Sequence, residues 1–246
     1  MISVCILSKN SSATIAQTLE SIRGFPEVLI LDNGSTDNTR EIALGYPNVK
    51  IIEAPFIGFG PMRNKIAAMA ANDWILALDS DETITPELLQ EIHATELKRK
   101  TAYSMARDNY YNGKHIKGCG WSPDRVVRLY NRQDTHYSSA LVHESVLTHP
   151  LIVHPLKAPM KHVPFRTTAE FLAKMQNYTT LYAEQENKKS SVGKAIAHSL
   201  FAFIRSYFFK RGFLLGKEGF IISLYNSNSV FYKYLKLWEK NNRENL

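Results

Sequence analysis

The sequence predicts an α/β protein built on a mostly parallel sheet, and three observations lead there. Short apolar runs alternate with helix-patterned segments through residues 1–100. One of those runs, Trp74-Ile75-Leu76-Ala77-Leu78, passes directly into the acids Asp79, Asp81 and Glu82. After it, alternating β-prone residues give way to a long aromatic helical tract. A short continuous apolar run reads as a strand buried on both faces, as in a parallel sheet. Ligands of such sheets bind outside the carboxyl ends of the strands, so the acids at 79–82 stand where a ligand is expected.

The elements follow in order. Residues 2–8 form the first strand, and 13–22 a helix with Ile15, Leu19 and Ile22 on one side. Residues 28–31 form the second strand. It ends in Asp32-Asn33-Gly34-Ser35-Thr36-Asp37-Asn38-Thr39, a tight turn into a helix N-terminus. A third strand at 49–53 leads to the glycine loop Gly58-Phe59-Gly60, after which Pro61 opens a helix carrying Arg63, Asn64 and Lys65. The strand at 74–78 comes next. Thr85 then caps a helix over 86–98, with Pro86 at its first position. This alternation gives right-handed crossovers in a parallel sheet. Residues 102–111 alternate, Asn112-Gly113 is a hairpin turn, 114–117 returns, and 125–130 is another strand, so this half reads as antiparallel. From 168 the chain is helical. Ile196, Leu200, Phe203, Ile204, Tyr207 and Phe208 share one helical face, with His198, Ser199, Arg205 and Ser206 opposite, and a further helix covers 218–239. The expected division is 1–167 as a catalytic domain, with a ligand-binding half at 1–100 and a second half at 101–167, and 168–246 as a helical region for membrane contact or oligomerisation.

Apolar residues make up 44% of the 246-residue chain, ample for a core. Cys5 and Cys119 lie far apart and fit neither a disulfide framework nor a zinc site, which points to a reducing cytoplasm. The start has no basic leader or small-residue cleavage pattern, and no run of about 20 apolar residues predicts a spanning helix. The net charge of +7 is uneven: residues 188–240 hold ten Lys/Arg and two Glu, and twelve of the 27 aromatics lie between 199 and 238. The basic character therefore belongs to a C-terminal surface. Its aromatics fall at helical spacing, which fits core or membrane contact better than a stacking platform, so no nucleic-acid partner is expected.

Asp79 and Asp81, two apart at a strand end, can turn both carboxylates into one space and suit Mg²⁺ or Mn²⁺. An acidic helix cap is the alternative, but Thr85 already fills that position. Asp32 can accept from a base N–H or a ribose hydroxyl, or simply tighten its own turn. Arg63 can reach a diphosphate, or be a solvated helix charge.

Val4-Cys5-Ile6-Leu7-Ser8-Lys9-Asn10, Leu31-Asp32-Asn33-Gly34-Ser35-Thr36-Asp37-Asn38-Thr39, Arg63-Asn64-Lys65 and Leu78-Asp79-Ser80-Asp81-Glu82 occur in an order and spacing that resembles family 2 glycosyltransferases of the GT-A fold. The resemblance implies that Asp32 binds the nucleotide base, that Asn10 and Arg63 help hold the donor, and that Asp79 and Asp81 serve ribose and metal. Asn33 departs from the family, which commonly has a second Asp there. In the second half Gly120-Trp121-Ser122-Pro123-Asp124, Arg128-Leu129-Tyr130, Val142-His143-Glu144 and His162-Val163-Pro164-Phe165-Arg166 look like the bacterial lipopolysaccharide inner-core glucosyltransferases. So do Lys210-Arg211-Gly212-Phe213, Gly216-Lys217-Glu218-Gly219 and Tyr234-Leu235-Lys236-Leu237-Trp238-Glu239. That implies a metal-dependent, inverting enzyme. It takes a hexose, glucose first among candidates, from a nucleotide-sugar such as a UDP-sugar and places it on a lipid-linked core acceptor. Such an enzyme works on the inner face of the cytoplasmic membrane. Glu144 is the expected general base, its alternative being an ion pair with Arg125, Arg128 or Arg132. Trp121, Asp124 and Arg128 are expected on the acceptor side. His162 is expected as a metal ligand beside Asp81 and Asp79, or as a structural His.

Three other readings stand beside this one. A sugar nucleotidyltransferase would need a glycine-rich basic loop where Ser8-Lys9-Asn10-Ser11-Ser12 stands. A non-catalytic nucleic-acid or membrane-surface module would rest on the basic tail alone. A transferase of the same family acting on another glycan or a protein would share every donor-side feature. The tail can equally serve a homo-oligomer.

Overall fold

All seven residues of β1 (Ile2–Ser8) and all six of β2 (Glu27–Asp32) are buried. Their side chains alternate between two cores on opposite faces of the sheet. Val4, Ile6, Ile30, Leu76 and Leu78 pack with Ile15 and Leu19 of α1 (Ile15–Ser21) and Leu88 and Ile92 of α4 (Pro86–Ala94). Cys5, Leu7, Leu29, Leu31, Ile75 and Ala77 pack with Met62, Ile66 and Ala67 of α3 (Phe59–Met69) on the other face. This two-sided burial is why the strands read as apolar runs. It also lifts the Cys5 thiol to about 12.

The computed structural model describes residues 1–141 and 143–243. The sheet runs in the order β3-β2-β1-β4-β8-β6-β10-β5. Here β3 is Val49–Glu53, β4 Trp74–Asp79, β5 Glu82–Ile84, β6 Thr101–Tyr111, β8 Arg125–Asn131 and β10 Met160–His162. The first four strands are parallel, with α2 (Thr39–Leu44) between β2 and β3. β8 is antiparallel to both β4 and β6. The short strands β5, β10 and β9 (Ile152–Pro155) carry no periodic signal, and the sequence reading has no strand at them. The cap of α4 is the expected one: Thr85 Oγ1 accepts from Leu88 N at 3.2 Å with Pro86 at the first position, though the helix ends at Ala94 rather than 98.

The chain forms two compact units. The first comprises Met1–Asp108 and Asp124–His162, the second Asn109–Pro123 and Val163–Leu246. In the second, Tyr110 pairs with His115 of β7 (Lys114–His115) around Asn112 and Gly113. Both turn residues have positive φ, 50° and 72°, which Asn-Gly adopts at little strain. Tyr111, Ile116 and Cys119 pack with Phe165, Phe171, Ile222 and Tyr225. Tyr111 comes from the hairpin, Ile116 and Cys119 from the segment after it, Phe165 from just before α5 (Thr168–Gln185), Phe171 from α5, and Ile222 and Tyr225 from α7 (Lys217–Arg243); α6 (Val192–Ile204) lies between those helices in the chain. Cys5 and Cys119 are both free thiols. Among the described residues no helix is long and apolar enough to cross a membrane.

Candidate active site

The register of the parallel strands builds the site. Ser8 of β1 lies opposite Asp32 of β2, and Leu7 opposite Asp79 of β4. The two aspartates therefore end neighbouring strands on either side of β1, at the edge where such sheets bind ligands.

Asp79 is held from both sides. Arg63 Nη2 donates to one carboxylate oxygen and Arg128 Nη2 to the other. Arg63 is buried in α3, and its Nη1 donates to Leu78 O at 2.7 Å. Burial pushes the Asp79 carboxyl up, but the charges of Arg128 and Arg63, then His162 and Arg107, hold it well below the usual carboxylate range. Glu82, wholly buried, organises the turn. Its Oε2 accepts from Asp79 N at 3.0 Å, while Oε1 takes Arg128 Nη2 at 2.5 Å and Arg107 Nη1 at 3.3 Å. Arg107 in turn grips Asp124 through two bonds of 2.8 and 3.1 Å. Carboxylates and guanidiniums thus alternate from Asp124 to Asp79, and each charge has an opposite neighbour, as buried charges require.

Asp81 lies on the turn between Asp79 and Glu82. Glu82 pairs with His162 in the β5–β10 ladder, and that register sets His162 Nε2 3.5 Å from Asp81 Oδ1. Among the described residues no three His, Cys, Asp or Glu side chains converge as a metal cage. With Asp79 committed to two guanidiniums, the pair suited to a divalent cation is Asp81 and His162. One carboxylate and one imidazole on adjacent backbone elements suit Mn²⁺ better than Mg²⁺, which takes oxygen ligands; the remaining positions are usually filled by substrate phosphates and water.

On the β2 side the carboxylate of Asp32 turns into its own loop. Oδ2 accepts from Gly34 N and Ser35 N at 3.1 and 2.9 Å, and Oδ1 from Ser35 Oγ at 2.5 Å. These bonds tighten the turn after β2. Asn10, at φ 50°, links the first two loops: its N donates to Ser35 Oγ at 2.9 Å and its Oδ1 accepts from Thr36 N at 2.8 Å. Asp37 ties the same loops, accepting from Ser12 N at 3.0 Å and Thr39 N at 3.1 Å. Burial works to raise its carboxyl, yet bonds from Thr39 and Ser12 bring it down to about 2.

Glu144 reaches the site through α3. Phe59 N donates to Leu141 O at 3.1 Å and Gly60 N to Ala140 O at 3.0 Å. The Asn64 side chain both donates to and accepts from the Tyr137 backbone, at 2.9 and 2.8 Å. Residues 137–141 are thereby zipped onto the start of α3. The glycine loop makes that approach possible, since a Cβ on Gly60 would sit 1.9 Å from Ser138 O. Glu144 Oε1 then lies 3.7 Å from Arg63 Nε. Its ion-pair partner is Arg63 and none of the three arginines expected: Arg125 bonds Ser104 O and Leu156 O, Arg132 bonds the carbonyls ending α3, and Arg128 is on Asp79 and Glu82. Trp121 lies in the second unit, edge-on to Phe165 at 5.5 Å between ring centroids.

Residues 3–143 match the family model described as glycosyl transferase family 2. The chain belongs to this family. A glycosyltransferase of Rickettsia typhi is 28% identical over 254 residues, covering 97% of this chain and 87% of the relative. The lipopolysaccharide core biosynthesis glycosyltransferase LpsC of Rhizobium meliloti is 24% identical over 255 residues, covering 97% and 92%. Among solved structures, S. aureus TarS residues 1–349 in complex with UDP-GlcNAc aligns over 99% of this chain and 92% of its own, with a TM-score of 0.49 and 16% identity.

Within this family 2 enzyme, the structure brings Arg63, Asp79, Arg128 and Glu144 together directly and joins Asp124 to them through Arg107 and Glu82. The sequence reading gives no individual role to Glu82 or Arg107 in this network, nor to Asp37 in the loops beside it. Glu82 has a signal, a third acid directly after Asp79-Ser80-Asp81. Arg107 has none, being one cation in an alternating strand.

Proposed function

We propose that this glycosyltransferase moves a hexose from a UDP-sugar to a lipid-linked core glycan with inversion at the anomeric carbon, and that Glu144 is the general base. The observation that carries the reading is the single guanidinium, Arg63, that faces Asp79 with one nitrogen and Glu144 with another. It sets a carboxylate beside the strand end where the family's donor motif stands. The name of LpsC supports a core-glycan acceptor, and the Asp81–His162 pair supports a divalent cation.

In the proposed step the acceptor oxygen attacks the anomeric carbon from the face opposite the diphosphate. The new C–O bond forms as the bond to the diphosphate breaks. The diphosphate leaves with the electron pair, and Glu144 takes the acceptor hydroxyl's proton. Asp81 and His162 would hold the cation, which when bound would neutralise charge on the departing diphosphate. Asn10 and the Asp32 loop shape the nucleotide side. Arg63 and Arg128 fix Asp79, and Glu82 and Arg107 fix Arg128 and Asp124 in turn. Preorganised charge of this kind needs little rearrangement during reaction.

Glu144→Gln keeps the shape and removes the proton acceptor. Turnover should fall by roughly 10²–10⁴-fold while the Kd for the UDP-sugar stays the same. Normal turnover in this variant would make Glu144 structural and move the role to Asp124. A thermal-shift titration should show UDP-sugar raising the melting temperature more with Mn²⁺ than with EDTA, and Asp81→Ala should erase that difference. Equal shifts in wild-type protein would remove the cation from the scheme.

A further inference from the structure

The helix α6 is folded with its apolar side out. Ile196, Leu200 and Ile204, and Phe208 beyond them, recur every four residues and are all exposed, with Phe201 beside them. Ala195 is its one fully buried residue. The inward side is polar and small: Ser199 O accepts from Ser227 Oγ at 2.8 Å, and Ser206, just past the helix, shares a 3.0 Å bond with Ser223 Oγ. A helix packed on a core alone buries the opposite face.

The corner after α6 continues the surface. A π-turn at Arg205–Phe209 and a 3₁₀ turn at Gly212–Leu215 carry Phe208, Phe209, Phe213 and Leu214, all exposed, Phe209 by 73% and Leu214 by 66%. The inside of the corner has no room for them. A Cβ on Gly219 would meet Gly212 O at 1.9 Å, and one on Gly212 would meet Cys119 Sγ and Ser223 Oγ at 2.9 Å. Backbone contact closes the corner, so its large side chains are held outward.

Charge identifies the occupant. Between residues 187 and 217 there is no Asp or Glu, while seven Lys/Arg occur. Arg205, Lys210, Arg211 and Lys217 are exposed among the aromatics. A second copy would set this cationic face against its like, whereas an anionic lipid surface complements both its apolar and its charged groups. We propose that α6 and the following corner form a bilayer-docking face, with Phe209 and Leu214 entering the headgroup boundary of an anionic membrane and Lys210 and Arg211 on its lipid phosphates.

The test is sedimentation of the full chain, without donor, with vesicles of phosphatidylcholine alone or mixed with phosphatidylglycerol. The protein should sediment with the mixed vesicles, be released by high salt, and bind neutral vesicles poorly. Lys210→Ala with Arg211→Ala should lower the partition coefficient about 30-fold, since each basic residue near the surface is worth about a factor of five. Phe209→Ser with Leu214→Ser should lower it about tenfold. Far-UV circular dichroism and an unchanged Kd for UDP-sugar would show that these variants remain folded. No sedimentation with either vesicle, or binding equal on both and insensitive to salt, overturns the proposal. So does loss of self-association in Phe209→Ser with Leu214→Ser, by sedimentation equilibrium, with vesicle binding unchanged, which would make the face a subunit interface. Vesicle binding is read without donor, so its failure would leave the sugar-transfer reading standing.

Discussion

Asp37 shows how one carboxylate can hold two loops together. Its oxygens accept from the backbones of Ser12 and Thr39 and from the Thr39 hydroxyl at 2.5 Å, which brings its carboxyl to about 2. A group depressed in the folded state contributes stability above its unfolded value near 3.8, and that contribution is lost as pH falls toward about 2. Asp37→Asn should therefore lower stability by about 1 kcal/mol at neutral pH, a figure reduced for solvent screening. In urea melts the gap between wild type and variant should close between pH 4 and pH 2. A gap that stays constant across that range would remove ionisation from the explanation. Glu82 is the harsher case at this scale. It is fully buried with Arg107 and Arg128 on one oxygen, so Glu82→Ala leaves the buried Arg128 and the half-buried Arg107 each with one carboxylate fewer and should cost about 3 kcal/mol by denaturant unfolding. A loss below about 1 kcal/mol would mean that water takes over the carboxylate's place.

At the scale of elements, the join between α3 and residues 137–141 matters most to the site. Its partners stand more than seventy residues apart, yet the backbone bonds of Phe59 and Gly60 and the side chain of Asn64 bring Glu144 to Arg63. Gly60→Ala puts a methyl group 1.9 Å from a backbone oxygen, so the segment must shift. Overpacking of this kind costs about 1–3 kcal/mol. The substitution should lower kcat at least tenfold with the KM for the UDP-sugar little changed, because a displacement of about 1 Å at a catalytic group is enough. Wild-type kcat in a destabilised Gly60→Ala protein would show that Glu144 is positioned by something other than this join. Gly58, at φ 105°, serves the same contact, since it also has no space for a Cβ beside Leu141.

For the whole molecule the chain makes two units, each with its own apolar cluster, and a chain of that kind need not unfold in one step. A donor bound at the strand-end site stabilises only the unit that holds it, by about 2.7 kcal/mol at a hundredfold excess over Kd. Scanning calorimetry with UDP-sugar and Mn²⁺ should raise one transition and leave another in place. A single transition moving as a whole would show that both units fold as one cooperative body. The amino-acid order by itself determined the four parallel strands, the Asn-Gly hairpin, the cap of α4, and the placing of Asp32 and Asp79 at strand ends. All of these rest on interactions between residues near in sequence, or on burial that repeats along one element. Only the tertiary structure decided that Asp79 is clasped by two guanidiniums, that Asp81 meets His162, that Glu144 lies against Arg63, and that α6 turns its apolar face outward. Each of those outcomes depends on which distant segment comes to lie beside a given side chain. Periodicity shows that a helix has two faces, but which face is buried is settled by the surface it packs on.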